Sequence, residues 1–191
     1  MIRTATLALF FTATPLLAHE PVIDTGERSA AAPFVIDEPE HSKAIYAELD
    51  GDADVYQLTS DVPFDFYAGL TAARVEGCEL DQTFSFEVLD AGGAVIDRRE
   101  GGSNEWWAWF EEFGKRWYWV GPEIGTDFKS TTVYPAGTYT IRVFNEANAG
   151  KYVLAVGDQE RFTPALIARL PSIGRATSVW WDAASCEGAS G

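Results

Sequence analysis

Between residues 43 and 157 the apolar side chains recur at every second position. Phe64, Phe66, Ala68 and Leu70 alternate with Asp65, Tyr67 and Gly69, and Phe84, Phe86 and Val88 alternate with Ser85 and Glu87. Tyr139, Ile141 and Val143 alternate with Thr140 and Arg142, and Tyr152, Leu154 and Val156 close the series. A period of two places such residues on one face of an extended chain, whereas a helix needs a period near 3.6. Turn signals separate the runs: Asp50-Gly51-Asp52, Ala91-Gly92-Gly93, Pro135-Ala136-Gly137 and Asn148-Ala149-Gly150. Short alternating segments punctuated in this way predict an antiparallel β-sandwich of one domain and one core.

The chain opens MIRTATLALFFTATPLLAHE, with Arg3 ahead of an apolar run at 7–11 and Pro15-Leu16-Leu17-Ala18 closing the segment. That layout predicts a signal peptide over residues 1–18, cleaved after Ala18, so that His19 begins a mature protein exported to the periplasm or beyond. No cysteine follows the apolar run, so a lipid anchor is not expected, and no stretch approaches the roughly 18 apolar residues that span a bilayer. The formal net charge is −15, and loss of Arg3 with the leader makes it more negative still. Nucleic acid and anionic membrane surfaces, which need positive charge, are poor partners for such a chain. Only two cysteines occur, Cys78 and Cys186. In an oxidising compartment an even pair is expected to bridge, and the loop of about a hundred residues would give up to about 4.7 kcal/mol in the chain-entropy account.

Residues 19–42 are rich in Pro, Ala and acids without a sustained period, and are expected to form an extended arm with little structure of its own. Residues 43–160 make the sandwich and 161–191 an amphipathic helical tail. In the tail Thr163-Pro164 reads as cap and first helical residue, with Leu166, Ile167 and Leu170 on one face. Pro171 is expected to end that helix and start another, in which Ile173, Ala176, Val179 and Trp180 share a stripe. The stripe suits packing on the sandwich, with docking on a partner as the alternative.

The runs GDADVYQL at 51–58, FSFEVLDAGGAVI at 84–96 and PAGTYTIRVFNEANAGKYVLAVG at 135–157 resemble the pre-peptidase C-terminal domain over residues 43 to 160. EEFGKRWYWVGPE and GKYVLAVGDQERF are similar to stand-alone secreted prokaryotic proteins of no known activity. The resemblance implies a jelly-roll-like sandwich and a non-catalytic role accessory to a secreted protease or other hydrolase. No catalytic domain is expected beside it within these residues, and the tryptophan-rich stretch and the helical tail are departures from the family's pattern.

NEWWAWFEEFGKRWYWVGP, at 104–122, holds five of the seven tryptophans. Asn104 as cap and Gly114 as stop predict a short helix on which Trp106, Trp109, Phe110 and Phe113 share a core-facing stripe. RWYWV at 116–120 then reads as a strand, and Trp107 is left as the ring most open to solvent. Packing is the reading this pattern favours. Its alternative is an aromatic platform for a polysaccharide, formed by Trp107, Trp117, Tyr118 and Trp119 with Glu105 and Glu123 nearby.

Nucleophile–base chemistry finds no histidine on the expected body, because His19 and His41 both fall in the arm. The expectation is therefore a non-enzymatic accessory or ligand-binding protein. Two metal readings stand beside it. Asp50, Asp52 and Asp54 resemble the start of a calcium loop, though Val55 and Asp61 occupy the places where an EF-hand requires Gly and Glu. If cleavage follows Ala18, the amine and imidazole of His19, joined by His41, would offer copper three nitrogens.

Overall fold

The computed structural model describes residues 19–23, 25–112, 114–161 and 163–182. The expected signal peptide at 1–18 and Cys186 therefore lie outside the described residues. In chain order the strands are β1 (Glu20–Ile23), β2 (Phe34–Ile36), β3 (Lys43–Asp50), β4 (Asp54–Ser60), β5 (Phe64–Phe66), β6 (Ala68–Ala73) and β7 (Ser85–Leu89). There follow β8 (Val95–Arg99), β9 (Trp107–Glu111), β10 (Arg116–Glu123), β11 (Thr132–Tyr134), β12 (Gly137–Phe144), β13 (Ala149–Val156) and one helix, α1 (Pro164–Asp182). A six-stranded sheet runs β1-β3-β13-β6-β10-β9 and a five-stranded one β2-β4-β12-β7-β8, with β5 and β11 as a small third pair. The result is a mainly β, sandwich-like arrangement with a single C-terminal helix.

The alternating residues of the sequence face one another between the two large sheets. Phe66, Ala68, Leu70, Phe86, Val88, Ile141, Val143, Tyr152, Leu154 and Val156 all belong to this main core. One hydrophilic chain runs through it. Tyr56 and Tyr152 share a hydrogen bond of 2.6 Å, the Tyr152 hydroxyl donates to Asp54 at 2.5 Å, and Arg28 Nε pairs with the same carboxylate at 2.9 Å. The low dielectric of the interior makes such a chain costly to break.

Three expectations need correction. The arm is structured: β1 pairs in parallel with β3, and β2 pairs in parallel with β4, so that residues 19–42 add one strand to each sheet. Both additions sit at a sheet edge, the position where a strand tolerates Pro21. Backbone contacts also anchor the linking segment, since Val55 N–H donates to Arg28 O at 2.6 Å.

The aromatic stretch is not a helix. Residues 107–111 and 116–123 form an antiparallel hairpin, with Trp109 opposite Tyr118 and Phe110 opposite Trp117. Aromatic side chains favour the pleated surface of a sheet, and two such runs separated by a short turn pair more readily than a one-off helical turn forms. Asn104 and Gly114 consequently cap nothing: the Asn104 amide bonds Glu105 O, and Gly114 N–H bonds the Glu111 carboxylate.

The tail is one helix, not two, and Pro171 lies inside it. Thr163 caps it as expected, its Oγ1 accepting from Leu166 N–H at 3.1 Å. Pro171 and Ile167 are both exposed, so the hydrogen bond that proline forfeits falls where water can replace it. Its buried stripe is Leu166, Ile173 and Trp181, whereas Ile167 and Val179 face solvent.

Asp54→Asn should lower unfolding stability by about 3 kcal/mol, because it takes the balancing charge away from Arg28 in a buried site. Urea denaturation of both proteins measures the difference. A change within 0.5 kcal/mol, a surface-like value, would show the chain of contacts to be dispensable.

Candidate functional site

The six-stranded sheet is apolar on its outer face as well. Register fixes which residues point there: Ala44 lies opposite Ala155, Tyr46 opposite Val153, Val153 opposite Thr71, and Tyr118 opposite Trp109. Tyr46, Tyr118, Val153 and Trp181 form a second cluster, and α1 covers it. Trp181 meets Tyr118 edge-on at 4.8 Å, and Trp180 meets Tyr46 at 5.0 Å. The cover is incomplete. Between helix and sheet remains a cavity of about 310 Å³, walled by Tyr46, Tyr118, Val153, Trp109 and Ile173. That volume is at the lower end of the range for small-molecule sites, roughly 300–1,000 Å³.

Polar groups gather at one end, where His19, Tyr67 and Lys129 line the wall. A bulge in β10 near Gly121-Pro122 turns the chain into the 124–131 loop, which carries Phe128 and Lys129 back over Trp109. The Tyr67 hydroxyl donates to Glu123 Oε1 at 2.5 Å, and Lys129 N–H donates to Glu123 Oε2 at 3.2 Å. Burial pushes the Glu123 carboxyl above its usual range, against the pull of those two donors. Burial likewise raises the Tyr67 hydroxyl, and the nearby Glu123 charge raises it further. Burial and the Lys129 charge lower the His19 imidazole to about 4, so it is neutral at pH 7. Its ring stacks on Tyr67 at 6.1 Å, and Nδ1 shares a 2.6 Å hydrogen bond with Ser42 Oγ.

Opposite, Glu111 and Arg116 pair across β9 and β10, and Arg116 also donates to Ser178 Oγ at 3.2 Å. The Tyr46 and Tyr118 hydroxyls bond each other at 2.7 Å beneath the helix. The arrangement is a mostly apolar chamber whose hydroxyls and carboxylates are engaged with one another. It can hold a small molecule by burial and offer it a few polar contacts at its ends.

The hairpin divides the four expected platform residues between two faces. Tyr118 and Trp107 are on the helix side, Trp117 and Trp119 on the other, because opposite residues in an antiparallel pair share a face. Tyr118 is 6% exposed and so unavailable to a surface ligand. Trp119 is half-buried against the main core, and Arg74 lies 5.1 Å from the rings of both Trp117 and Trp119. Trp117 and Trp107 are exposed. Trp107 meets Phe128 edge-on at 4.9 Å and overlooks a separate open groove of about 510 Å³, with Arg98, Glu105 and Asp127 around it. Trp106 is plugged into the main core, its Nε1 donating to Gly101 O, and its ring lies where a Gly121 Cβ would have to be.

The expected metal ligands have other partners or face solvent. Asp54 is buried against Arg28, while Asp50 and Asp52 are exposed. A guanidinium on the third carboxylate works against a calcium loop. His41 lies 3.4 Å from Glu20 and 3.9 Å from Glu38, and His19 Nδ1 is engaged by Ser42 Oγ. Among the described residues no group of three His, Cys, Asp or Glu is disposed to hold an ion. Cys78, in the loop after β6, is half-buried.

Sequence reasoning missed Tyr67, Lys129 and Trp109 as neighbours. The one local signal was the uninterrupted run Tyr152–Val156, every residue of which is buried. Such a run marks a strand covered on both faces.

Because His19 and His41 both have lowered pKa values in the folded state, the unfolded chain binds protons more readily below pH 6.5. Their contribution to stability should thus be complete above pH 6.5 and fall as the pH drops towards 4. Melting temperatures of the native protein and of His19→Asn across that window measure it, and the variant should show the shallower decline. Parallel curves would mean that His19 does not carry the effect.

No protein-family model matches the chain, and no curated protein sequence matches it. Among solved structures, the chain is similar to the pre-peptidase C-terminal domain of a collagenase from Bacillus anthracis, with a TM-score of 0.36 and 11% identity over 65% of this chain and 91% of that one. It is also similar to part of the catalytic domain of a GH87 alpha-1,3-glucanase solved with tetrasaccharides, with a TM-score of 0.33 and 14% identity over 63% of this chain. This chain spans 22% of that glucanase chain. Likenesses this weak carry no argument about what the chain does.

Proposed function

We propose that this chain is an exported, non-enzymatic binding protein that holds a small, largely apolar ligand between its six-stranded sheet and α1. Export, and the Cys78–Cys186 bridge that an oxidising compartment would allow, are part of the same proposal, as is a role accessory to another secreted protein. The observation that carries it is the cavity of about 310 Å³ with aromatic and aliphatic walls. A ligand hiding about 250 Å² of apolar surface there gains about 6 kcal/mol. Before the costs of association, that corresponds to a Kd of some tens of micromolar.

Gly174 supplies the test. It lines the cavity, and a Cβ built on it meets nothing within 4 Å. Gly174→Leu should therefore extend into ligand space with no clash at its Cβ, and should stabilise α1 by up to about 1 kcal/mol through helix propensity. The native protein should bind the neutral fluorescent probe N-phenyl-1-naphthylamine at one site per chain. The variant should bind it at least tenfold more weakly with an equal or higher melting temperature. Equal binding by both proteins would refute the cavity as the site.

Polysaccharide binding is a second reading, favoured by the exposed Trp107 indole beside the polar groove. Trp107 and Phe128 lie at 78° to one another, so the groove offers one stacking plane, not two. Trp107→Ala should abolish retardation of the protein by polysaccharide in affinity electrophoresis and leave the melting temperature nearly unchanged. Retardation that survives the substitution would remove this reading.

A further inference from the structure

Lys129 is held in an unusual way. Its backbone adopts a left-handed φ of 60°, a conformation that side-chain-bearing residues seldom take. That geometry accompanies the main-chain hydrogen bond to Glu123, whose carboxylate is taken up by the Lys129 backbone and by Tyr67. The ammonium instead lies 4.6 Å from the centroid of the Trp109 ring and 5.3 Å from that of Phe128. Among the described residues no carboxylate approaches it within the 4 Å of an ion pair. Burial lowers its pKa while Glu111, Glu160 and Glu123 oppose the shift from a distance. Aromatic faces return part of the hydration that a half-buried ammonium loses, but they supply no negative charge to pair with it.

The other charged groups of the chamber are already committed. Glu111 accepts from Gly114 N–H and faces Arg116 across the hairpin, and Arg116 donates to Ser178. The neutral His19 ring stands at the same end as Lys129 and brings no competing cation. A ligand ammonium would meet Lys129 as a like charge, and a wholly apolar ligand would leave it unanswered. A ligand with one negative group and an apolar body satisfies both halves of the chamber.

We propose that the ligand is a small amphipathic monoanion, whose carboxylate is received by Lys129 while its apolar body lies between Val153 and Tyr118 of the sheet and Ile173 of α1. This rests on the cavity being the binding site. The sequence leaves the body's shape open between a flexible alkyl chain and a flat aromatic ring, and paired probes separate them. Displacement of N-phenyl-1-naphthylamine at pH 7 would be measured with decanoate against 1-decanol, and with 1-naphthoate against 1-naphthol. For the shape that fits, the carboxylate should act at a concentration at least tenfold below that of its alcohol. Lys129→Met keeps the stem over Trp109 and removes the charge, so it should reduce that ratio to about twofold or less by weakening the carboxylate alone. Unchanged displacement by the alcohol then shows the variant to be folded around an intact cavity.

Equal potency of acid and alcohol in the native protein overturns the inference, as does a preference for acid that Lys129→Met retains. If the neutral probe binds and none of the four compounds displaces it, the anion assignment fails alone. If the probe itself does not bind, the cavity reading fails and takes this one with it.

Discussion

A sheet that is apolar on both faces must be covered twice, and most of this structure follows from that requirement. The inner face of the six-stranded sheet meets the five-stranded sheet, and the outer face carries Tyr46, Tyr118 and Val153. Six strands about 4.8 Å apart make a surface roughly 24 Å wide. A helix with its side chains is only about 10–12 Å across. One helix therefore roofs a strip of the outer face, and the 124–131 loop brings Phe128 and Lys129 over another part of it. The chamber is what lies between the two partial covers.

Much of the strand framework was legible because burial on one face writes itself as alternation. Phe64, Phe66, Ala68, Leu70 and Ala72 keep their period across the break between β5 and β6 and all reach the main core. Alternation is silent where a strand is short or lies at an edge, and so β1 and β2 went unseen. Both are defined by pairing to distant residues, Glu20 to Lys43 and Phe34 to Tyr56, and neither has enough residues to show a period. The aromatic hairpin misled for a different reason. Trp106, Trp109, Phe110 and Phe113 satisfy a helical spacing by accident in a segment where nearly every residue is large and apolar. Length and partner decided the matter, because RWYWV offered a strand to pair with.

The site was less legible than the fold. Its polar end is assembled from His19, Tyr67, Glu123 and Lys129, which three separate parts of the chain contribute. Nothing local announces that Tyr67, which lies between β5 and β6 and out of phase with the core residues, will be 3% exposed. Its burial comes from the second covering layer, which period-two reasoning about a single core does not anticipate. Pro171 illustrates the same limit. Propensity reads it as a stop, but the helix continues: Leu166, Ile173 and Trp181 are buried while Pro171 and Ile167, at the missing bond, are exposed to water.

The pairing of the 19–42 segment with one strand of each sheet has a consequence for how the molecule behaves in company. Without β1 and β2, the eight-residue β3 and the seven-residue β4 would be the outermost strands on their side. Each would present a long row of free amides and carbonyls, a ready template for another chain to add to. The segment replaces those rims with strands of four and three residues, one of them interrupted by Pro21. At the far rim of the five-stranded sheet, β8 exposes Val95 and Ile96 but ends in Asp97, Arg98 and Arg99, charges that resist edge-to-edge stacking. What looks in the primary structure like a loose leader to the domain thus replaces two long strand edges with short ones.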